Sequence, residues 1–204
     1  MESVSIVVIT LNEEKRIGRL MDDLSNQTHQ DFEVIVVDSN SDDNTCEVVQ
    51  AYQSSIPELT VHKMESRGVS LGRNTGAELA KYERILFLDA DVQLSPTFLA
   101  NALGQLRDKK LEVAGVYMGA KGLPLAHKIG YSLFNLGLSA TQFVFPTVVG
   151  ACIFSTKRAH GEIGGFDESI TLCEDCDYVN RASKTWRFRF LNLTFGFDPR
   201  RLDQ

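Results

Sequence analysis

Most of the residues in this chain that can do chemistry are carboxylates, and their positions are informative. Asp38 follows the apolar run Phe32-Glu33-Val34-Ile35-Val36-Val37, Asp89 and Asp91 follow Ile85-Leu86-Phe87-Leu88, and Glu174, Asp175 and Asp177 cluster in the second half. Carboxylates placed after buried strands are costly unless they meet a cation or a polar ligand. Two of them two residues apart, as in Asp89-Ala90-Asp91, can approach one divalent ion. A hard cation such as Mg²⁺ or Mn²⁺ takes oxygen ligands and is commonly held by one or two carboxylates together with substrate phosphates. The pair therefore points to a diphosphate-binding metal site. Asp38 alone is equally at home as a turn or cap residue, and the tripeptide D-A-D also occurs by chance; the buried strand before it is what gives it weight.

The elements that must position these groups are legible in the first ninety residues. Val4-Ser5-Ile6-Val7-Val8-Ile9 and the run before Asp38 are continuous apolar stretches of the kind found in parallel strands buried on both faces. Ile17, Leu20, Met21 and Leu24 recur at helical spacing after the first, and Cys46, Val48, Val49 and Tyr52 after the second. A short strand over 59–63, a helix over 72–79 and a strand over 85–88 complete the series. Alternating strands and helices imply an α/β fold with a mostly parallel central sheet, and in such sheets ligands sit at the carboxyl ends of the strands. Beyond Asp91 the rhythm loosens. Ser95-Pro96 opens a helix to about residue 105, residues 112–117 and 188–193 read as strands, and the rest is irregular.

A chain of 204 residues suits one domain, with the regular strand–helix rhythm over about 1–92 and the looser stretch over about 93–204. Hydrophobic residues make up 43% and charged residues 24%, as in ordinary globular proteins. The net charge of -6 argues against nucleic acid as the main partner. Met1-Glu2-Ser3 runs into the first strand without a basic n-region or cleavage site, so a cytoplasmic protein is expected, at most at the cytoplasmic face of a membrane. Cys46, Cys152, Cys173 and Cys176 are expected to be free thiols. Cys173-Glu174-Asp175-Cys176 lacks the second ligand pair of a zinc site and the small or aromatic insert of a redox motif. His29, His62, His127 and His160 show no metal-binding spacing.

Taken together, the motifs resemble glycosyltransferase family 2, whose catalytic domain has the GT-A fold. Ser5-Ile6-Val7-Val8-Ile9-Thr10-Leu11-Asn12-Glu13-Glu14 is similar to the family's opening strand and Asn-Glu turn. Val36-Val37-Asp38-Ser39-Asn40-Ser41-Asp42-Asp43-Asn44-Thr45 is similar to its "VVDDGSTDNT" segment, with Ser39 replacing the second Asp. Arg73-Asn74-Thr75-Gly76, Phe87-Leu88-Asp89-Ala90-Asp91, Gly164-Gly165-Phe166-Asp167-Glu168 and Glu174-Asp175-Cys176-Asp177 follow in the family's order.

The resemblance implies an inverting transfer of sugar from a nucleotide diphosphate donor, UDP- or GDP-linked, to an acceptor hydroxyl. Asp38 would meet the base, Ile9, Leu11 and Glu13 would line base and ribose, and Arg73 and Arg67 would face the base or the diphosphate. Asp91 would be the principal ligand of Mn²⁺ or Mg²⁺, with Asp89 on the ribose or the metal shell. The general base would be Asp175 or its neighbour Glu174. Lys184-Thr185-Trp186-Arg187 stands where processive members show Gln-x-x-Arg-Trp, which favours single-sugar transfer. A nucleotidyltransferase, the alternative enzyme, should carry an early Gly-rich loop, and Thr10-Leu11-Asn12-Glu13 offers none. A non-catalytic nucleotide-binding relative would have little use for all of these carboxylates.

The acceptor is not named by the sequence; a lipid-linked molecule and a glycan are the alternatives. No charged residue occurs between Lys128 and Lys157. Its glycines, Asn135, Gln142 and Pro146 argue against a membrane span. An amphipathic helix over 125–143 and a buried strand over 148–154 are expected. Either the apolar side chains of this helix pack on the sheet, or Leu133, Phe134, Leu136 and Phe143 form an apolar face for peripheral membrane contact, with Lys121, His127 and Lys128 near the headgroups.

Overall fold

The computed structural model of the protein describes residues 2–120 and 124–197, so Lys121 lies outside the described residues. The strands β1 (Val4–Thr10), β2 (Phe32–Asp38), β3 (Leu59–Lys63) and β4 (Arg84–Asp89) alternate with the helices α1 (Ile17–Ser25), α2 (Thr45–Gln50) and α3 (Val69–Leu79). All neighbours in the order β3-β2-β1-β4 are parallel. Successive side chains of a strand face opposite ways. Ile6, Val8, Val34 and Val36 thus meet Leu20, Met21 and Leu24 of α1 on one face, while Val7, Ile35, Val37 and Phe87 build the core on the other. α3 lies so close to that second face that a Cβ on Gly76 would stand 2.2 Å from Val7 Cγ1. Thr10 pairs with Asp38 and Ile9 with Asp89. Three strands therefore end level, and their terminal residues share one edge.

The second half adds β5 (Val92–Gln93), α4 (Phe98–Lys109), β6 (Val113–Met118), α5 (Leu125–Thr141), β7 (Cys152–Thr156), α6 (Lys157–Glu162), α7 (Glu174–Ser183) and β8 (Phe188–Phe197). β7 pairs antiparallel with β4 and β6, β8 runs parallel to β6, and β5 pairs antiparallel with β8, completing an eight-stranded sheet. The α/β fold with a largely parallel core is as the sequence implied. The expected strand over 148–154 starts later, at Cys152, because the residues before it leave the sheet to wall a cleft. Thr156 ends β7 and caps α6, its hydroxyl accepting the Ala159 N–H at 3.1 Å. The helix α7 was hidden in the sequence by its polarity. Its first turn holds Glu174, Asp175 and Asp177, where the helix dipole favours negative charge, and Tyr178, Val179 and Ala182 anchor it on the sheet.

α5 is attached sparingly. Leu138 is its buried residue, and Asn135 clips it to β6 through the Met118 N–H and carbonyl, at 3.3 and 2.8 Å. Leu133, Phe134, Leu136 and Phe143 are exposed rather than packed on the sheet. Among the described residues no helix is long and apolar enough to cross a membrane.

Candidate active site

A cleft of about 800 Å³ opens over the level strand ends. Ile9 lines it from β1 and Leu11 and Glu13 from the turn after it, Arg67 and Arg73 from the approach to α3 and its first turns, and Asp89 and Asp91 from the end of β4 and just beyond it. Residues 147–151 and 172–176 close the far side, bringing Glu174 and Asp175 opposite the two aspartates. The structure thus gathers into one cavity the residues proposed for the donor, the metal and the base, with two exceptions among the acids: Asp177, which is paired with Arg181 at 2.7 Å, and Asp38.

Asp38 is fully buried one layer below. Its carboxylate accepts the Ser41 N–H at 2.9 Å and the Ser41 hydroxyl, and that hydroxyl oxygen in turn accepts the Asn12 N–H at 2.9 Å. Two further bonds, Glu13 N–H to Thr45 Oγ1 at 2.8 Å and Asp42 N–H to Asn12 Oδ1 at 2.9 Å, stitch the turn after β1 to the loop after β2. The many Ser, Asp and Asn side chains of this segment hold backbone shape. Arg67, on the rim, is paired with Asp42 of the same loop.

Arg73 is the hub of the site. Its side chain is 3% exposed, and its guanidinium donates to Glu174 at 2.8 Å, to Asp89 at 3.2 Å and to the Gly150 carbonyl at 3.1 Å, while lying 5.1 Å from the centre of the Phe166 ring. One cation thereby ties β4, α7 and the loop before β7 together. The adjacent Asn74 holds the Gly164-Gly165-Phe166 turn, accepting the Phe166 N–H at 2.8 Å and donating to the Phe166 carbonyl and to Glu168, each at 2.9 Å. Gly164 and Gly165 both have positive φ, 76° and 71°, which glycine adopts without strain. The Arg-Asn pair thus grips both distal motifs. Sequence reasoning noted the pair and missed this role, along with the Gly150 carbonyl, because neither local spacing nor residue type signals partners 77 to 101 positions away.

The two neighbouring acids on α7 differ in environment. Glu174 is engaged by Arg73. Asp175 accepts the Cys176 N–H at 2.8 Å, and burial raises its proton affinity above that of an ordinary carboxyl; the Glu174 charge adds to this, while the Cys176 N–H and Arg73 pull it back. Cys173 and Cys176 are free thiols. Cys173 is the N-cap of α7 and Cys176 lies in its first turn. Burial nevertheless pushes the Cys176 thiol up to about 11, which removes the reactive thiolate that a redox motif needs. His160 belongs to an aromatic cluster with Phe87, Phe166 and Tyr178 behind the site.

Asp91 is 7% exposed and lines the cleft beside Asp89. Among the described residues no three His, Cys, Asp or Glu side chains are grouped to hold an ion by themselves. Two strand-end carboxylates at the floor of a roomy cleft fit a hard divalent ion that takes its remaining ligands from a bound diphosphate.

The fold has counterparts among known proteins. The sequence pattern of glycosyl transferase family 2 matches residues 5–158. The chain belongs to that family. Chondroitin synthase of Escherichia coli is 27% identical over 190 residues, a span covering 93% of this chain and 28% of that protein. Staphylococcus aureus TarS, solved as residues 1–349 in complex with UDP, superposes with a TM-score of 0.77 at 24% identity, covering 97% of this chain and 61% of that one. The mannosyltransferase PcManGT of Pyrobaculum calidifontis, solved with GDP-Man and Mn²⁺, superposes with a TM-score of 0.81 at 22% identity, covering 95% and 56%. The GT-A fold is therefore that of this family 2 chain, which spans between 28% and 61% of the length of these relatives.

Proposed function

We propose that this family 2 domain performs inverting, single-sugar transfer from a nucleotide diphosphate sugar, UDP- or GDP-linked, to an acceptor hydroxyl. What supports the reading above all is the pair of acid sets facing one cleft: Asp89 and Asp91 on the β4 side, and Asp175, with its raised proton affinity, on α7. Ile9, Leu11 and Glu13 would border the nucleoside, with Asp38 shaping the floor beneath it. Asp91, and Asp89 through the oxygen that Arg73 does not engage, would hold Mn²⁺ or Mg²⁺. Such an ion neutralises the charge that grows on a leaving diphosphate.

Asp175 rather than Glu174 is assigned as the base, since Glu174 is already committed to Arg73. The acceptor oxygen would attack the anomeric carbon and pass its proton to Asp175 as the bond to the diphosphate oxygen breaks. A single displacement inverts the anomeric centre. Arg73 is a positioning residue, holding Asp89 and Glu174 at fixed places on either side of the reacting atoms. Trp186 supports single transfer, because it stacks on Arg158 with the guanidinium 4.6 Å from the ring centre and is not part of the cleft lining.

A thermal-shift screen of UDP-, GDP- and dTDP-sugars with and without Mn²⁺ tests the reading. A donor at a hundred times its dissociation constant should stabilise the fold by about 2.7 kcal/mol. Failure of every donor to shift the transition would contradict it, and a shift without release of nucleoside diphosphate would mark a binding protein instead.

A further inference from the structure

An apolar surface on the second half has no partner among the described residues. At 100° per residue, Leu125, Ile129, Leu133 and Leu136 fall within about 80° of one another on α5, opposite the side that Tyr131 and Leu138 turn to the sheet. These four side chains are 54% to 73% exposed, and Phe143, Val144 and Phe145 just beyond the helix are exposed as well, Val144 at 90%. Residues 147–151, which follow directly, wall the cleft, and the exposed Leu172 lines it from the other side. The apolar surface therefore leads along α5 to the mouth of the site. Contiguous exposed apolar surface on this scale marks an interaction face.

Charge identifies the partner. Although the chain is acidic, with a net charge of -6, not one Asp or Glu occurs between Glu112 and Glu162. The cations beside the apolar stripe are Lys128 on α5 and Arg189, whose guanidinium lies 4.4 Å from the centre of the Phe143 ring. A second copy docking by the same face would bring cations together with no carboxylate to meet them. An anionic bilayer supplies both complements: acyl chains for the leucines and headgroup phosphates for long basic side chains that reach past them. No described helix can span a membrane, so the contact is interfacial.

We propose that the exposed face of α5, together with Phe143, Val144 and Phe145, docks this domain on an anionic lipid bilayer and sets the mouth of the cleft at headgroup level. The docking stands apart from the transfer reading and is tested without it. The full chain is sedimented with vesicles of phosphatidylcholine alone and of equimolar phosphatidylcholine and phosphatidylglycerol. Wild type should pellet with the anionic vesicles and less with the neutral ones. Leu133→Ser/Leu136→Ser should lower the partition coefficient by at least about tenfold, given the apolar area withdrawn. Lys128→Glu should abolish the preference for anionic lipid.

Circular dichroism reports folding, and Leu125→Ser/Ile129→Ser carries the same expectation should the first pair unfold. Wild type that stays in the supernatant with both vesicles, or partition unchanged by the serine pairs, would overturn the proposal. So would light scattering that shows a dimer which the serine pairs dissociate. Nucleotide-sugar thermal shifts measured without vesicles should be the same for wild type and the serine pairs, so loss of docking is read separately from loss of donor binding.

Discussion

Replacing Arg73 with methionine keeps the aliphatic length of the side chain and removes the cation that links β4, α7 and the loop before β7. Three hydrogen bonds are lost, two of them to carboxylates that stay 21% (Asp89) and 16% (Glu174) exposed in the cleft. Breaking a fully buried ion pair costs about 3–5 kcal/mol. Partial access of solvent to the two acids, and the buried Arg73 Nε that has no partner among the described residues even in the intact site, place the cost near the lower bound, about 3 kcal/mol. For a domain of this size each kcal/mol moves the midpoint by about 2–4 °C, so Arg73→Met should melt roughly 6–12 °C below wild type by calorimetry. Arg73→Lys, which keeps the charge and loses the fork, should fall between them. Donor turnover should drop with Arg73→Met even well below its melting range, because Glu174 and Asp89 lose their common anchor. A methionine variant melting within about 2 °C of wild type would refute the hub, since that is less than the smallest shift expected for 1 kcal/mol.

Asp175→Asn should leave donor affinity near wild type and lower transfer at least about a hundredfold, whereas Glu174→Gln should act chiefly through stability; the reverse pattern would move the base one residue back. Asp91→Asn keeps the side-chain volume and removes a charged oxygen ligand, so calorimetric titration with UDP or GDP should lose its dependence on Mn²⁺, and an unchanged metal requirement would remove Asp91 from the metal site. His160 is held neutral at a pKa of about 4, by burial first and by the charge of Arg181 second. Its folded value lies below the unfolded one near 6.5, so the stability it permits is present above pH 6.5 and is lost as the pH falls toward 4. The loss should reach about 2 kcal/mol at pH 5. Urea unfolding at pH 7.5 and pH 5 should show that drop in wild type and a smaller one in His160→Gln; equal drops would rule out this histidine as the cause.

The first half was readable because parallel strands buried on both faces are unbroken apolar runs, and the acids that end them stand out against that background. The second half resisted for physical reasons that differ from element to element. β5 has two residues and α6 six, too short to show a period. In α7 the catalytic candidates are themselves the first helical turn, so a run of acids masked the helix that presents them. Val148 and Val149 carry strand-forming side chains but serve as cleft wall, which displaced the start of β7. The positions of Asp89, Asp91, Glu174 and Asp175 along one cleft were foreshadowed by motif order. The unequal environments of Glu174 and Asp175 were not, because they depend on a guanidinium about a hundred residues away.

The stereochemistry of transfer tests the central claim most directly. Once the screen has identified a donor, its slow hydrolysis with water as acceptor can be followed by proton NMR, which distinguishes the two anomers of the released sugar before they equilibrate. One displacement with Asp175 as base predicts that the first sugar released has the anomeric configuration opposite to that of the donor, and that Asp175→Asn suppresses its appearance. Initial release of sugar with the donor's own configuration would contradict the single-displacement account.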